Sequence, residues 1–396
     1  MKAVILGTGR IGCGFAGHLL AEAGYQLTFL TRNVEMVEHL NRVGAYRVRL
    51  AHGRHASEHE VRGVQALPTA DAAACVEALV HADVIVTAVG PGNLADVAPL
   101  LAAALAVRST PVNVLAFENL ADGGAELRAL VAACLPPGFN LAPFGFSGTL
   151  VSRAVTQRVG EPAEDKPLVF VGDPPADLVV DGRALVQPLP QLPSMIVADD
   201  FAACMQRKLF IFSAGHATCA YLGHLKGYRY IHSAICDDEI RSAVMQAMTE
   251  GQRGIAARYG ESFAGGAEHL QQILERFANA AITDPVSRVA RDPSRKLSAG
   301  DRLLGAARLA QRAGVHPHQL LRAAAAAYCF SDPADAIAGR LQEEIRAAGL
   351  PSTMHRVSGL GARDRLGQSV ARHWRQLTRQ WHGDSVLLNL DRVHWA

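Results

Sequence analysis

Lys2-Ala3-Val4-Ile5-Leu6-Gly7-Thr8-Gly9-Arg10-Ile11-Gly12-Cys13-Gly14 is a short apolar run that breaks into the pattern G-x-G-x-x-G-x-G. Phe15 to Ala23 follows at helical spacing, Gly24 ends it, and Gln26 to Leu30 reads as a second strand. Strand, glycine turn, helix and strand in this order point to a dinucleotide-binding unit. The glycines have separable duties: Gly7 permits the tight turn, Gly9 lets the backbone approach a pyrophosphate, and Gly12 lets helix pack closely on strand. Arg10 and Ile11 share the loop and are candidate cofactor contacts with Gly7, Gly9 and Gly12. The phosphates would rest on the helix N-terminus.

The end of the second strand selects the nicotinamide cofactor, because an acidic residue there binds the ribose 2′-hydroxyl and a basic one accommodates a 2′-phosphate. The residues are Leu30, Thr31, Arg32 and Asn33, with no carboxylate. Thr31 can donate a hydrogen bond and Arg32 can pair with phosphate, so NADP is preferred over NAD. The alternative is that Arg32 is simply solvated at the start of the next helix.

Beyond this, Tyr46 to Leu50 alternates as a strand, Ala51 to Glu60 suits a polar loop or hairpin, and Asp71 to Val80 suits a helix. Ala82 to Gly90 is the apolar run of a buried parallel strand, and it puts Thr87, Ala88 and Val89 at a carboxyl end. A helix over 94–106 leads to the strand Pro111 to Asn119, which closes on Glu118 and Asn119. Ligands of open α/β sheets bind outside these strand ends, so Asn119 is placed to face nicotinamide or substrate. Leu168 to Val171 is a further strand, and prolines at 174–175 and 188–193 mark a boundary. The expected architecture is α/β: a Rossmann-type dinucleotide-binding domain over 1–193, then an all-helical substrate domain over 194–396.

Composition excludes several classes. With 49% hydrophobic and 19% charged residues and a net charge of +2, the chain has neither a disordered composition nor an electrostatic footprint for nucleic acid. Seven scattered cysteines without a C-x-x-C pair fit a reduced compartment and imply no zinc site. The first apolar segment is too short to span a membrane. A cytoplasmic monomer or small homo-oligomer acting on a small molecule is expected.

In the second half, helical patterns run over 200–222, 236–259, 267–278, 301–312, 318–328 and 334–348. Lys208, Ser213 and His216 lie in the first of them, within an arc of roughly 140° at roughly 100° per residue. A lysine among Leu209, Phe210 and Phe212 is partly desolvated, which lowers its pKa towards that of a general base. A snorkelling lysine beside a core histidine is the bland alternative. Arg295 and Lys296, in the basic connector 291–302, read equally as an anion clamp for substrate or as a latch between helices. Asp237, Asp238 and Glu239 suit a solvated helix face, and His316 and His318 a loop. Residues 385–390 could add a strand or cover a cleft.

Together, the N-terminal glycine motif, Thr87-Ala88-Val89-Gly90-Pro91, Glu118-Asn119, Arg207-Lys208-Leu209-Phe210 with Gly215-His216-Ala217, and Arg295 to Leu303 resemble the mannitol-1-phosphate 5-dehydrogenases, a family of the polyol-specific long-chain dehydrogenases. The resemblance covers residues 1 to about 303 and, more loosely, the helical remainder. It implies metal-independent hydride transfer between a secondary alcohol and nicotinamide at a site between the domains. It assigns Lys208 as catalytic lysine, His216 as substrate-orienting histidine and Asn119 as one of two asparagines that stabilise the alkoxide. Ser213 replaces the second asparagine, Ser152 stands where the family has a polyol-contacting aspartate, and Thr31 replaces the NAD-selecting aspartate. Cys13 and Arg10 replace an arginine and an asparagine of the glycine loop. These departures suggest an altered substrate and cofactor choice. The alternative reading is a cofactor-binding sensor or scaffold without turnover, favoured by the changes at Ser213 and Ser152.

Overall fold

The computed structural model describes residues 1–382 except 121, 176, 190, 191, 193 and 362, without the side chains of 157, 381 and 382. The segment 385–390 lies outside the described residues. The chain divides into two compact units between Met205 and Gln206.

Among the described residues the first unit contains twelve strands: β1 (Lys2–Leu6), β2 (Gln26–Thr31), β3 (Ala45–His52), β4 (His55–Arg62), β5 (Gln65–Pro68), β6 (Val84–Thr87), β7 (Val112–Ala116), β8 (Phe144–Val151), β9 (Val155–Val159), β10 (Val169–Gly172), β11 (Leu178–Asp181) and β12 (Met195–Ala198). Eight form one sheet in the order β12-β11-β8-β7-β6-β1-β2-β5, in which only the β8–β11 pair is antiparallel. β1 shows why the sheet is buried on both faces. Ala3 and Ile5 pack into one apolar cluster with Phe15 and Phe29, while Val4 and Leu6 pack into another with Leu79 and Leu101. Chain direction across the sheet reverses at β1, between β2 and β6. That reversal opens the crevice where such sheets bind ligands.

The strand expected over 46–50 and the loop or hairpin expected over 51–60 together form one hairpin, 45–62, turning at Gly53 with φ +58°. It belongs to a second sheet, β4-β3-β10-β9, so the strand expected at 168–171 pairs with β3 rather than joining the main sheet. β12 is not singled out by the sequence pattern, because proline-rich punctuation precedes it and Ile196 and Val197 are exposed. Asn33 and Asp71 cap the helices Val34–Val43 and Ala72–Val80 by accepting from Met36 N and Ala74 N. These are the starts such side chains favour.

The second unit is helical. Its longer helices are Ala214–Leu225, Asp238–Tyr259, Ala267–Phe277, Leu304–Arg312, His318–Tyr328, Ala336–Ser358 and Arg365–His382. Asp237, expected on a solvated face, instead caps the helix Asp238–Tyr259 and, like Glu239, binds Lys226. The single α-helix expected over 200–222 needs correction. Phe201–Lys208 is α-helical, Leu209–Ser213 is a π turn, and the α-helix resumes at Ala214. Among the described residues, no helix is long and apolar enough to cross a membrane.

Candidate active site

The glycine loop behaves as its spacing implies. Gly7 has φ +113°, and a Cβ on it would lie 2.5 Å from Ala88 O. A Cβ on Gly12 would lie 2.1 Å from Gly7 O, whereas one on Gly9 meets nothing within 4 Å. Gly7 and Gly12 are therefore required by the fold itself, and Gly9 leaves open space where a ligand backbone can approach. This cradle fits the pyrophosphate of a dinucleotide. The loop leads into a π turn, Gly12–Gly17, and is tied to the end of β2 by Gly7 N donating to Leu30 O.

The other strand ends converge through Glu118, which the sequence left open as either a supporting partner of the site or a helix-start residue. Glu118 is buried, and its carboxylate accepts from Thr87 Oγ1 at 2.7 Å and from Val89 N at 2.9 Å. Burial pushes its carboxyl up despite these bonds. Glu118 thus holds the loop Thr87-Ala88-Val89 against the end of β7, with exposed Asn119 beside it. Thr31 is buried, and its oxygen already accepts from Thr8 Oγ1 and Asn33 N. Arg32 is exposed and donates to Asp96 Oδ2 at 2.9 Å. Arg10 donates to Thr156 O, and Ile11 is partly buried. Ser152, at the end of β8, is held by Asp177 O through both its hydroxyl and its backbone N–H.

In the helical unit, partial exposure recurs at Lys208, Leu209, Phe212, Ser213 and His216, while Phe210, Ile211, Ala214 and Gly215 are buried. One accessible face therefore carries all three polar candidates. The π turn accounts for their alignment: its i→i+5 bonding returns the chain to one face after about five residues, the spacing of Lys208 and Ser213. The neighbouring helix fits this turn through Gly251, whose Cβ would lie 2.0 Å from Phe210 O. Burial, with the guanidiniums of Arg302 and Arg276, pushes the Lys208 ammonium down to about 8. His216 stacks on Phe277 at 4.8 Å and lies 3.3 Å from Asp284 Oδ2, which Arg288 also grips. Arg276, Phe277, Asp284 and Arg288 carried no signal in the sequence, because they come from segments far along the chain, and Arg302 was marked only as part of the basic connector, with no link to Lys208.

The basic connector is largely self-satisfied. Arg295 pairs with Asp292 and Asp301, and buried Lys296 donates to Arg291 O. Burial and the nearby Arg302 and Arg295 push Lys296 down to about 7. In the first unit, ligand atoms of His18, Glu22 and His59 lie within 4.8 Å of one another. Arg153 donates to His18 Nδ1 at 3.0 Å, so the ring proton sits on Nε2, the atom that faces Glu22. Nε2 lies 3.4 Å from Glu22 Oε1, and a metal would need that nitrogen bare.

Family models of the mannitol dehydrogenase Rossmann domain and the mannitol dehydrogenase C-terminal domain match residues 1–194 and 200–371. Mannitol-1-phosphate 5-dehydrogenase of Brevibacillus brevis is 36% identical over 97% of this chain and 100% of its own length. The enzyme of the same name from Thermoanaerobacter pseudethanolicus is 31% identical over 95% and 98%. The fold is similar to that of Pseudomonas fluorescens mannitol 2-dehydrogenase in ternary complex with NAD and D-mannitol, with TM-score 0.74, 15% identity and coverage of 99% and 94%. It is also similar to a substrate-free D-sorbitol dehydrogenase, with TM-score 0.78, 16% identity and coverage of 98% and 94%. The chain belongs to the mannitol dehydrogenase family, and with it to the polyol dehydrogenases.

Proposed function

We propose that this chain interconverts a secondary alcohol of a polyol or polyol phosphate and the corresponding ketone, with NAD(H) or NADP(H) as hydride partner and Lys208 as the proton acceptor. The observation that carries the reading is Lys208 itself, brought to about 8 by burial and two guanidiniums on the accessible face that also bears Ser213 and His216. A nicotinamide bound at the glycine loop would take the hydride from the carbinol carbon or return it.

In oxidation, neutral Lys208 accepts the hydroxyl proton as the C–H bond breaks; in reduction, the ammonium returns it to the forming alkoxide. Asn119 and Ser213 carry the donor groups that a developing alkoxide needs. Ser213 reaches less far than the asparagine it replaces. Burial, with Arg302 and Arg276, lets the lysine lose its proton as pH rises through about 8, and the two guanidiniums also favour an anionic substrate, in keeping with the phosphorylated substrate in the relatives' name. At the cofactor, Arg32 offers charge to a 2′-phosphate, which must compete with Asp96 for it. The direct test is turnover of mannitol 1-phosphate, mannitol and sorbitol with each cofactor, in the native protein and in Lys208→Ala. The reading requires turnover of at least one polyol that collapses in the variant while cofactor affinity is kept. Cofactor binding without turnover anywhere on the panel would instead leave a non-catalytic cofactor protein.

A further inference from the structure

The ring of His216 is fixed by more than packing. Phe277 stacks on it at 4.8 Å with planes 16° apart, and Phe212 meets it edge-on at 5.8 Å. Its Nε2 lies 3.3 Å from Oδ2 of Asp284, a carboxylate only 5% exposed. Arg288 closes the other side of this carboxylate, with Nε on Oδ1 and Nη2 on Oδ2, both at 2.6 Å. A bidentate guanidinium keeps a carboxylate ionised. Burial works against Asp284, but His216 and Arg288 outweigh it and hold the carboxyl well below its ordinary range. Burial, joined by Arg288 and Arg302 and opposed by Asp284, holds His216 below its ordinary value, so the ring is neutral at pH 7.

A neutral imidazole beside an ionised carboxylate must place its single proton on the nitrogen that faces it. The other nitrogen is then a bare acceptor. We propose that Asp284 is a positioning residue that locks His216 as the Nε2–H tautomer, so that Nδ1 accepts a hydrogen bond from a substrate hydroxyl. Among the described residues no protein group is paired with Nδ1, which leaves it available for that contact. Lys208 and His216 are eight residues apart, on either side of the π turn. In this proposal the hydroxyl that His216 reads is a different one from the hydroxyl that loses its proton to Lys208. An acceptor here favours a carbon bearing OH over one bearing C=O, because a carbonyl has no proton to give. The chain would select polyhydroxylated substrates at a position other than the reacting carbon. This inference rests on the proposed polyol reaction for its consequence, but not for the tautomer itself.

The experiment is long-range 1H–15N spectroscopy of the full, 15N-histidine-labelled chain at pH 7, with the His216 ring identified by its loss in His216→Gln. The expected result is a neutral Nε2–H ring in the native protein. In Asp284→Asn, whose amide can donate to Nε2, the proton should shift at least partly to Nδ1. In steady state, Asp284→Asn should lower kcat/KM for the polyol about tenfold or more with cofactor affinity unchanged, and Asp284→Glu should recover part of it. A native ring that is charged or Nδ1-protonated overturns the proposal, and that spectrum decides even if Asp284→Asn fails to fold. A folded Asp284→Asn with native tautomer and native kinetics overturns it as well. If the native protein turns over no polyol, the proposed function fails while the spectrum still decides the tautomer.

Discussion

Both the glycine loop and the lysine segment run through a π turn, Gly12–Gly17 in one unit and Leu209–Ser213 in the other. They differ in what the turn serves. In the first, the backbone is the functional group, and glycine spacing alone defines the cradle. In the second, the backbone only aligns Lys208 with Ser213, and the electrostatics around Lys208 and His216 are set by burial and by Arg276, Asp284 and Arg302, which arrive from other helices and connectors. A site built from main chain is written locally, whereas one built from electrostatics is dispersed along the sequence.

The largest effect expected on this contrast is at the lysine. Lys208→Ala should reduce kcat by about 10²–10⁴-fold, the range of general acid–base catalysis, with cofactor Kd nearly unchanged by fluorescence titration. At the loop, the comparison sharpens by pairing two glycines. Gly12→Ala puts a methyl group against Gly7 O and should cost about 3 kcal/mol or more in denaturant unfolding. Gly9→Ala meets no protein atom, so it should fold with native stability yet weaken cofactor binding about tenfold, or about 1.4 kcal/mol. Equal stability loss in both variants would remove the distinction between a packing glycine and a cradle glycine.

Glu118→Gln turns one carboxylate acceptor into an amide donor facing Thr87 or Val89, at a cost of about 1–3 kcal/mol, measurable as a lower Tm. The smallest effect is at cofactor choice. The Arg32–Asp96 pair is exposed, and such pairs are worth about 0–1 kcal/mol. Arg32→Ala should weaken NADPH a few-fold relative to NADH, and Asp96→Asn should strengthen NADPH by a similar factor. If both variants leave the ratio of the two dissociation constants unchanged, Arg32 plays no part in selection.

Most of the nucleotide-binding unit was legible because β1, the glycine turn and the strand ends at Thr87 and Glu118 follow from hydrophobic runs and glycine positions. The second sheet was not, since strands such as 45–52 and 169–172 carry no mark of which neighbours they choose. The face bearing Lys208, Ser213 and His216 was legible as a grouping but not as a geometry. A spacing of 100° per residue assumes an α-helix, and the π turn departs from it. The role of Glu118 and the carboxylate behind His216 are tertiary facts. Asp284 precedes Pro285 in a connector and looks like an ordinary turn residue until Arg288 and His216 are seen to share it.

The central claim is that Lys208 is the base and that its surroundings hold it at about 8. Because its pKa is lowered from the usual lysine value, Lys208 becomes neutral as pH rises through about 8. The most direct measurement is the pH profile of kcat/KM in both directions on the native protein. Alcohol oxidation should rise through about pH 8 and ketone reduction should fall through the same value, with neither transition present in the residual rate of Lys208→Ala. Oxidation that is flat from pH 6 to 10, or a transition near pH 8 that survives in Lys208→Ala, would contradict the account.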